Sequence, residues 1–149
     1  AWMNCGTYND YQGIIGDNND QSSVGYLRVY KRSGNWYYLG YWYATGSSNP
    51  YADASNFFLN YDNQWVLVTI VADYNNKNVK FYRNGTLFST YTTTDNMLFP
   101  DSSRAKYIGV TGPGYELTHG YLDDVRIYNR ALSPGEIQYL YNSTQARYK

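Results

Sequence analysis

The sequence predicts an all-β fold, a sandwich or barrel of short antiparallel strands, with one short C-terminal helix. Three observations carry this. Tyr occurs 20 times and aromatic residues make up 19% of the chain, while charged residues make up only 16%. Tyr and Thr suit pleated strands and the abundant Asn and Gly suit turns. Short aromatic or β-branched runs are split by clusters of Asn, Gly, Asp or Ser, which is the spacing of many strands joined by turns. Near the end stands one well-specified helix start, at Ser133.

Taken in order, the runs predict strands at Trp2–Cys5, Gly13–Gly16, Gly25–Lys31, Trp36–Ala44, Asn56–Leu59, Trp65–Asp73, Asn78–Arg83, Leu87–Thr92, Lys106–Val110 and Tyr121–Tyr128. The stretch Lys31–Asn35, with Gly34 free to take φ > 0, reads as a hairpin loop. So does Asp73–Asn78. Asn84-Gly85 is the strongest short hairpin dipeptide in the chain. In the last strand Val125 and Ile127 share one face and Arg126 and Tyr128 the other, with Ala131 and Leu132 packing beneath. Ser133 is the predicted N-cap, Pro134 takes N1, and Glu136 at N3 closes a capping box. Ile137, Leu140 and Tyr141 then share one helical face.

Length and charge bound the function. The 149 residues fit one domain, spanning 1–149, in which roughly 70% of the chain's surface can be buried. Twelve basic and twelve acidic residues give zero formal charge. That argues against nucleic acid, which calls for clustered Lys and Arg, and against a polybasic membrane anchor. No apolar run reaches the roughly 20 residues of a membrane helix. Cys5 is the sole cysteine, so no internal disulfide forms, which leans toward a prokaryotic source. No signal peptide is visible, as expected of a mature or trimmed polypeptide. His119, the single histidine, is linked by nothing in the sequence to Cys5 or to an acid, and reads as a loop residue rather than a triad member.

Three segments resemble the laminin-G-like family of the concanavalin A-like lectin/glucanase superfamily: Trp65–Asp73 (WVLVTIVAD) with Val79–Gly85 (VKFYRNG); Tyr107-Ile108-Gly109; and Tyr121–Ser133 (YLDDVRIYNRALS) with Glu136-Ile137 and Leu140-Tyr141-Asn142. The resemblance implies a jelly-roll sandwich of two antiparallel sheets. It also implies a strand ahead of Ala1-Trp2-Met3, pairing with the final strand, which these residues do not contain. The expectation is that a partner segment or neighbouring subunit completes that edge.

Because the superfamily contains glycosidases, a carboxylate pair is the next thing to seek. Retaining enzymes hold two carboxyls about 5–5.5 Å apart. Glu116 has no acid at that spacing, Glu136 belongs to the capping box, and adjacent Asp123 and Asp124 point to opposite faces of a strand. The chain therefore reads as non-enzymatic. The loop Gly16–Gln21 (GDNNDQ) offers hard oxygens of the kind Ca2+ prefers, with Asp17, Asn18 and Asp20 as the first candidates. Asn and Asp equally stabilise turns. Asp123 is a further candidate, since its position resembles an acid typical of the family.

Two strands carry the candidate ligand surface. Trp36, Tyr38 and Trp42 share one face, and Tyr26, Arg28 and Tyr30 share another. One face of each strand fills the core; the other shows Tyr, Trp and Arg to solvent. Such a surface stacks on sugar rings, and it is equally the composition of a protein interface. The expected function is an extracellular or cell-surface binding or adhesion module for a glycan or a cell-surface protein. The alternative is a structural subunit of an extracellular surface assembly or filament. Asn84-Gly85-Thr86 and Asn142-Ser143-Thr144 also match the N-glycosylation pattern.

Overall fold

The computed structural model describes residues 1–6, 11–16, 28–32, 38–42, 51–97, 105–110 and 117–149. Their strands are β1 (Trp2–Cys5), β2 (Tyr11–Gly16), β3 (Arg28–Arg32), β4 (Tyr38–Trp42), β5 (Tyr51–Ala54), β6 (Trp65–Asp73), β7 (Asn78–Arg83), β8 (Thr86–Thr92), β9 (Tyr107–Ile108) and β10 (Gly120–Asp123), followed by helix α1 (Pro134–Thr144) and a 3-10 turn at Gln145–Arg147. They form two five-stranded sheets, ordered β10-β1-β6-β7-β8 and β5-β4-β3-β2-β9, with antiparallel pairing throughout. This is the predicted sandwich.

Alternation builds the core between the sheets. Met3, Cys5, Val66, Val68, Val79 and Phe81 from the first sheet meet Ile14, Ile15, Leu39, Tyr41, Ala52 and Ala54 from the second. Burying each large apolar side chain contributes about 1.5–3 kcal/mol. A register shift between Gly13 and Ile15 allows consecutive Ile14 and Ile15 both to be buried, as a bulge does.

The predicted hairpins form. Asn84 (φ 52°) and Gly85 (φ 81°) both take positive φ between β7 and β8, as the primed two-residue turn requires. Asn84 also extends the β6–β7 ladder by one rung. Its N–H donates to the Leu67 carbonyl at 2.9 Å, and its Oδ1 accepts from the Leu67 N–H at 2.9 Å. Between β6 and β7 the Asp73 carboxylate accepts from the Asn76 backbone and side chain, at 3.0 and 2.8 Å. The side-chain bond first, then the backbone bond, hold the Asp73 carboxyl below its usual range.

Helix α1 starts as its sequence dictates. Ser133 accepts from the Glu136 N–H at 3.3 Å, Glu136 accepts from the Ser133 N–H at 2.8 Å, and Pro134 occupies the first turn. Arg130 clamps Glu136 at 2.6 Å. The helix covers the outer face of the first sheet, where Ile137 and Leu132 pack with Val71 and Tyr82. Trp2 joins this second layer. Its ring stacks on Tyr148 at 4.2 Å and Tyr141 at 5.8 Å, and its indole N–H donates to the Thr144 hydroxyl at 2.9 Å.

Two predicted strands are corrected. Asn56–Leu59 is a turn and not a strand. Asn56 and Asn60 bracket it with φ of 62° and 67°, and Phe57 and Phe58 are both buried, which a strand's alternation does not allow. The Arg83 guanidinium pins this turn, donating to the Phe57 carbonyl at 2.8 Å and lying 4.6–5.9 Å from the Phe57, Tyr61 and Phe88 rings. The strand predicted over Tyr121–Tyr128 ends at Asp123. Asp124 takes φ 49° and its amide bonds the Asp123 carboxylate at 2.7 Å, so the extended path breaks there. Val125 and Ile127 therefore do not form one strand face, and Ala131 is exposed while Leu132 is buried.

Among the described residues, no helix is long and apolar enough to cross a membrane.

Candidate functional site

The second sheet assembles the candidate surface by register. In β4, Leu39 and Tyr41 are buried in the core, so positions 38, 40 and 42 belong to the opposite, outer face. Pairing then fixes which positions of the other strands share that face. Gly16 pairs with Tyr107 and with Arg28, Arg28 with Trp42, and Trp42 with Tyr51. One row thus runs 107–16–28–42–51 across all five strands. A second row joins Gly13, Tyr30, Gly40 and Asp53, and a third joins Tyr11, Arg32 and Tyr38.

The rows put four predicted ligand positions on one face: Arg28 and Trp42 are direct partners, Tyr30 lies two positions from Arg28, and Tyr38 lies four from Trp42. Tyr26 and Trp36 lie outside the described residues. Sequence reading missed Tyr51, which is 50% exposed, as well as Asp53 and Tyr107. The signal for the first two was the alternation Tyr51-Ala52-Asp53-Ala54, where the alanines turn inward.

The face carries Tyr, Trp and Arg interleaved with glycine. Five strands at about 4.8 Å spacing give the long row roughly 19 Å. Two of the four positions in the neighbouring row, Gly13 and Gly40, are glycine, and both are buried.

The metal candidates are not brought together among the described residues. Asp17, Asn18 and Asp20 fall outside them. Asp123 is exposed; its Oδ1 accepts from the Asp124 N–H, and its Oδ2 accepts from the Tyr148 hydroxyl at 2.9 Å. Among the described residues no three His, Cys, Asp or Glu side chains cluster as metal ligands would.

Asp124 and Glu136 serve the fold. Asp124 chelates Arg126 with bonds of 2.7 and 2.9 Å. Glu136 is held down to about 2, first by the Arg130 hydrogen bond and then by the Ser133 amide and hydroxyl. Glu116 lies outside the described residues. The buried Thr144 of the second glycosylation pattern engages Trp2 and sits within α1.

Comparison with known proteins agrees with this architecture. The Laminin_G_3 model, of the Concanavalin A-like lectin/glucanases superfamily, matches residues 1–138. No curated protein matches. Among solved structures, Ruminococcus gnavus IT-sialidase CBM40 superposes with TM-score 0.73 at 17% identity, covering 94% of this chain and 79% of that one. It has also been solved bound to alpha2,3 sialyllactose. Domain 4 of AbnA, a GH43 extracellular arabinanase from Geobacillus stearothermophilus solved with arabinotriose, superposes with TM-score 0.66 at 22% identity, covering 94% and 63%. At such identities the likeness shows the fold.

Proposed function

The chain belongs to the Laminin_G_3 family of the concanavalin A-like lectin/glucanases superfamily, and from that premise we propose that it is a non-catalytic glycan-binding module of the cell exterior. The observation that carries the reading is the row 107–16–28–42–51. It lays aromatic, cationic and glycine positions in one line, long enough for several sugar rings. Trp42 and Tyr51 supply stacking faces, and Arg28, Tyr30 and Asp53 bond hydroxyls. Structural neighbours solved with sialyllactose and arabinotriose support the ligand class. Asp73 and Asp123 hold turns and Glu136 holds the helix cap.

A glycan array, followed by calorimetry with alpha2,3 sialyllactose and arabinotriose, tests this. Trp42→Ala and Tyr51→Ala should each weaken binding about tenfold, the equivalent of ~1.4 kcal/mol. A folded wild-type chain that binds no glycan, or binding untouched by both substitutions, refutes the reading. Asp17, Asn18 and Asp20, which follow β2 directly in sequence, are the candidates for holding a Ca2+. Calcium titration with and without Asp17→Ala decides that, and no heat in either case ends it.

A further inference from the structure

The outer face of the first sheet carries an aromatic surface of its own. Met3, Cys5, Val66 and Leu122 pack on the inter-sheet core, so alternation places Asn4, Trp65, Tyr121 and Asp123 on the opposite face. Register then sets three of them in one row, because Asn4 pairs with Trp65 on one side and with Tyr121 on the other. The backbones of Trp65 and Tyr121 are two strand spacings apart, about 9.6 Å. Their ring centroids are 6.4 Å apart, with the planes tilted by 40°. The two rings therefore lean toward each other across the row. Tyr121 is 70% exposed, while Trp65 and Asn4 are half-buried.

Packing holds this surface in place. The Tyr148 ring lies 5.0 Å from Trp65 and 4.2 Å from Trp2, and its hydroxyl donates to Asp123 at 2.9 Å. Rings already fixed lose little freedom when a ligand arrives. Polar groups border them. Asn4 Nδ2 donates to the Asn63 carbonyl at 3.3 Å. Among the described residues the Asn4 Oδ1, the Trp65 indole N–H and the Tyr121 hydroxyl carry no hydrogen bond. One acceptor, one donor and one hydroxyl beside two ring faces match a sugar ring, which shows C–H groups on a face and hydroxyls around its rim. Charge narrows the class. The row holds no cation, and the charged residue two positions from Tyr121 is the acid Asp123. An uncharged sugar fits, whereas a carboxylate-bearing one finds no counter-charge in the row.

We propose that Trp65, Asn4 and Tyr121 form a second carbohydrate site, on the sheet opposite the row 107–16–28–42–51, that takes one uncharged pyranose ring of a glycan. The sugar lays its C–H face on Tyr121 and on the neighbouring edge of Trp65. The indole N–H donates to one hydroxyl, and the Asn4 Oδ1 accepts from another. A chain with a site on each sheet engages two glycans, or two arms of one, and gains avidity by linkage. The site stands on its own residues, so it holds or fails apart from the glycan reading of the other sheet.

The test follows the Trp65 indole N–H signal by NMR in the 149-residue chain, assigned as the signal lost in Trp65→Phe. The probes are the methyl pyranosides of glucose, galactose and mannose at millimolar concentration. At least one should shift that signal saturably. Tyr121→Ala, at a position too exposed to threaten the fold, should weaken this binding about tenfold, and Tyr121→Phe, which keeps the ring, should stay within about threefold of the parent. Trp42→Ala should leave the response unchanged. Glucuronate and galacturonate should bind no more tightly than the neutral sugars. Any of five results overturns the proposal: no pyranoside shifts the signal; Tyr121→Ala binds as the parent does; a uronate binds more tightly than every neutral sugar; Trp42→Ala removes the Trp65 response, meaning that the sugar acts from the other sheet; or the signal shifts with chain concentration alone, meaning that a second copy covers the rings.

Discussion

The bond from the Trp2 indole to Thr144 ties the first strand to the last turn of α1 and can be broken without changing shape. Trp2 is 2% exposed and Thr144 5%, so water does not replace the lost partner. Thr144→Val keeps the volume and removes the acceptor. The Leu140 carbonyl that Thr144 also bonds, at 2.6 Å, lies in the helix, so its loss adds little. The cost is that of one buried, unsatisfied donor, about 1–3 kcal/mol. With a urea slope of roughly 2 kcal/mol/M, the midpoint falls by about 0.5–1.5 M. Trp2→Phe destabilises by itself, through lost volume and stacking on Tyr148. In that background Thr144→Val should cost almost nothing, because no donor remains to be stranded. The double-mutant cycle should therefore show coupling of at least ~1 kcal/mol. Equal cost of Thr144→Val in both backgrounds refutes the reasoning.

Three further substitutions probe the same architecture. Gly85→Ala places a Cβ at φ 81° and 2.8 Å from the Tyr141 Cβ; strain and overlap together should cost about 2–4 kcal/mol by urea denaturation. Gly120→Ala meets the β1 backbone, overlapping the Asn4 carbonyl oxygen and lying 3.0 Å from the Cys5 Cα. It should loosen β10 from β1, lowering the melting temperature and speeding exchange of the β1 amides. The Glu136 carboxyl titrates near 2 in the folded chain against an ordinary 4.5. The unfolded chain then binds more protons in that window, so stability present above about 4.5 should drain away as pH falls toward 2. Glu136→Gln should flatten the slope of stability against pH in that window.

Elements with a local cause were the ones legible in the sequence. The capping box is written in four consecutive residues, Ser133 to Glu136, and Asn84-Gly85 carries its turn in two. Trp65–Asp73 and Asn78–Arg83 are long enough for alternation to define both ends. Elements set by distant contacts were not legible. Phe57-Phe58 reads as an apolar strand until Arg83 is seen holding it as a turn. Tyr51–Ala54 hides because its inward residues are alanines, which contribute little to an apolar pattern yet sit fully buried between the sheets. On the candidate face, the pairing of Arg28 with Trp42 follows from one hairpin register. The addition of Tyr51 and Tyr107 depends on which strands flank that hairpin, and no local pattern states this.

The misread end of Tyr121–Tyr128 is informative because its alternation is real. Val125 and Ile127 have the period of a strand, and a strand needs a neighbour to satisfy its backbone. The neighbour available to β10 is β1, and its ladder stops at Trp2 opposite Asp123, where β10 also stops. Beyond this point the chain bonds locally, through Asp123 to the Asp124 amide and Asp124 to Arg126, and Ile127 is left 67% exposed.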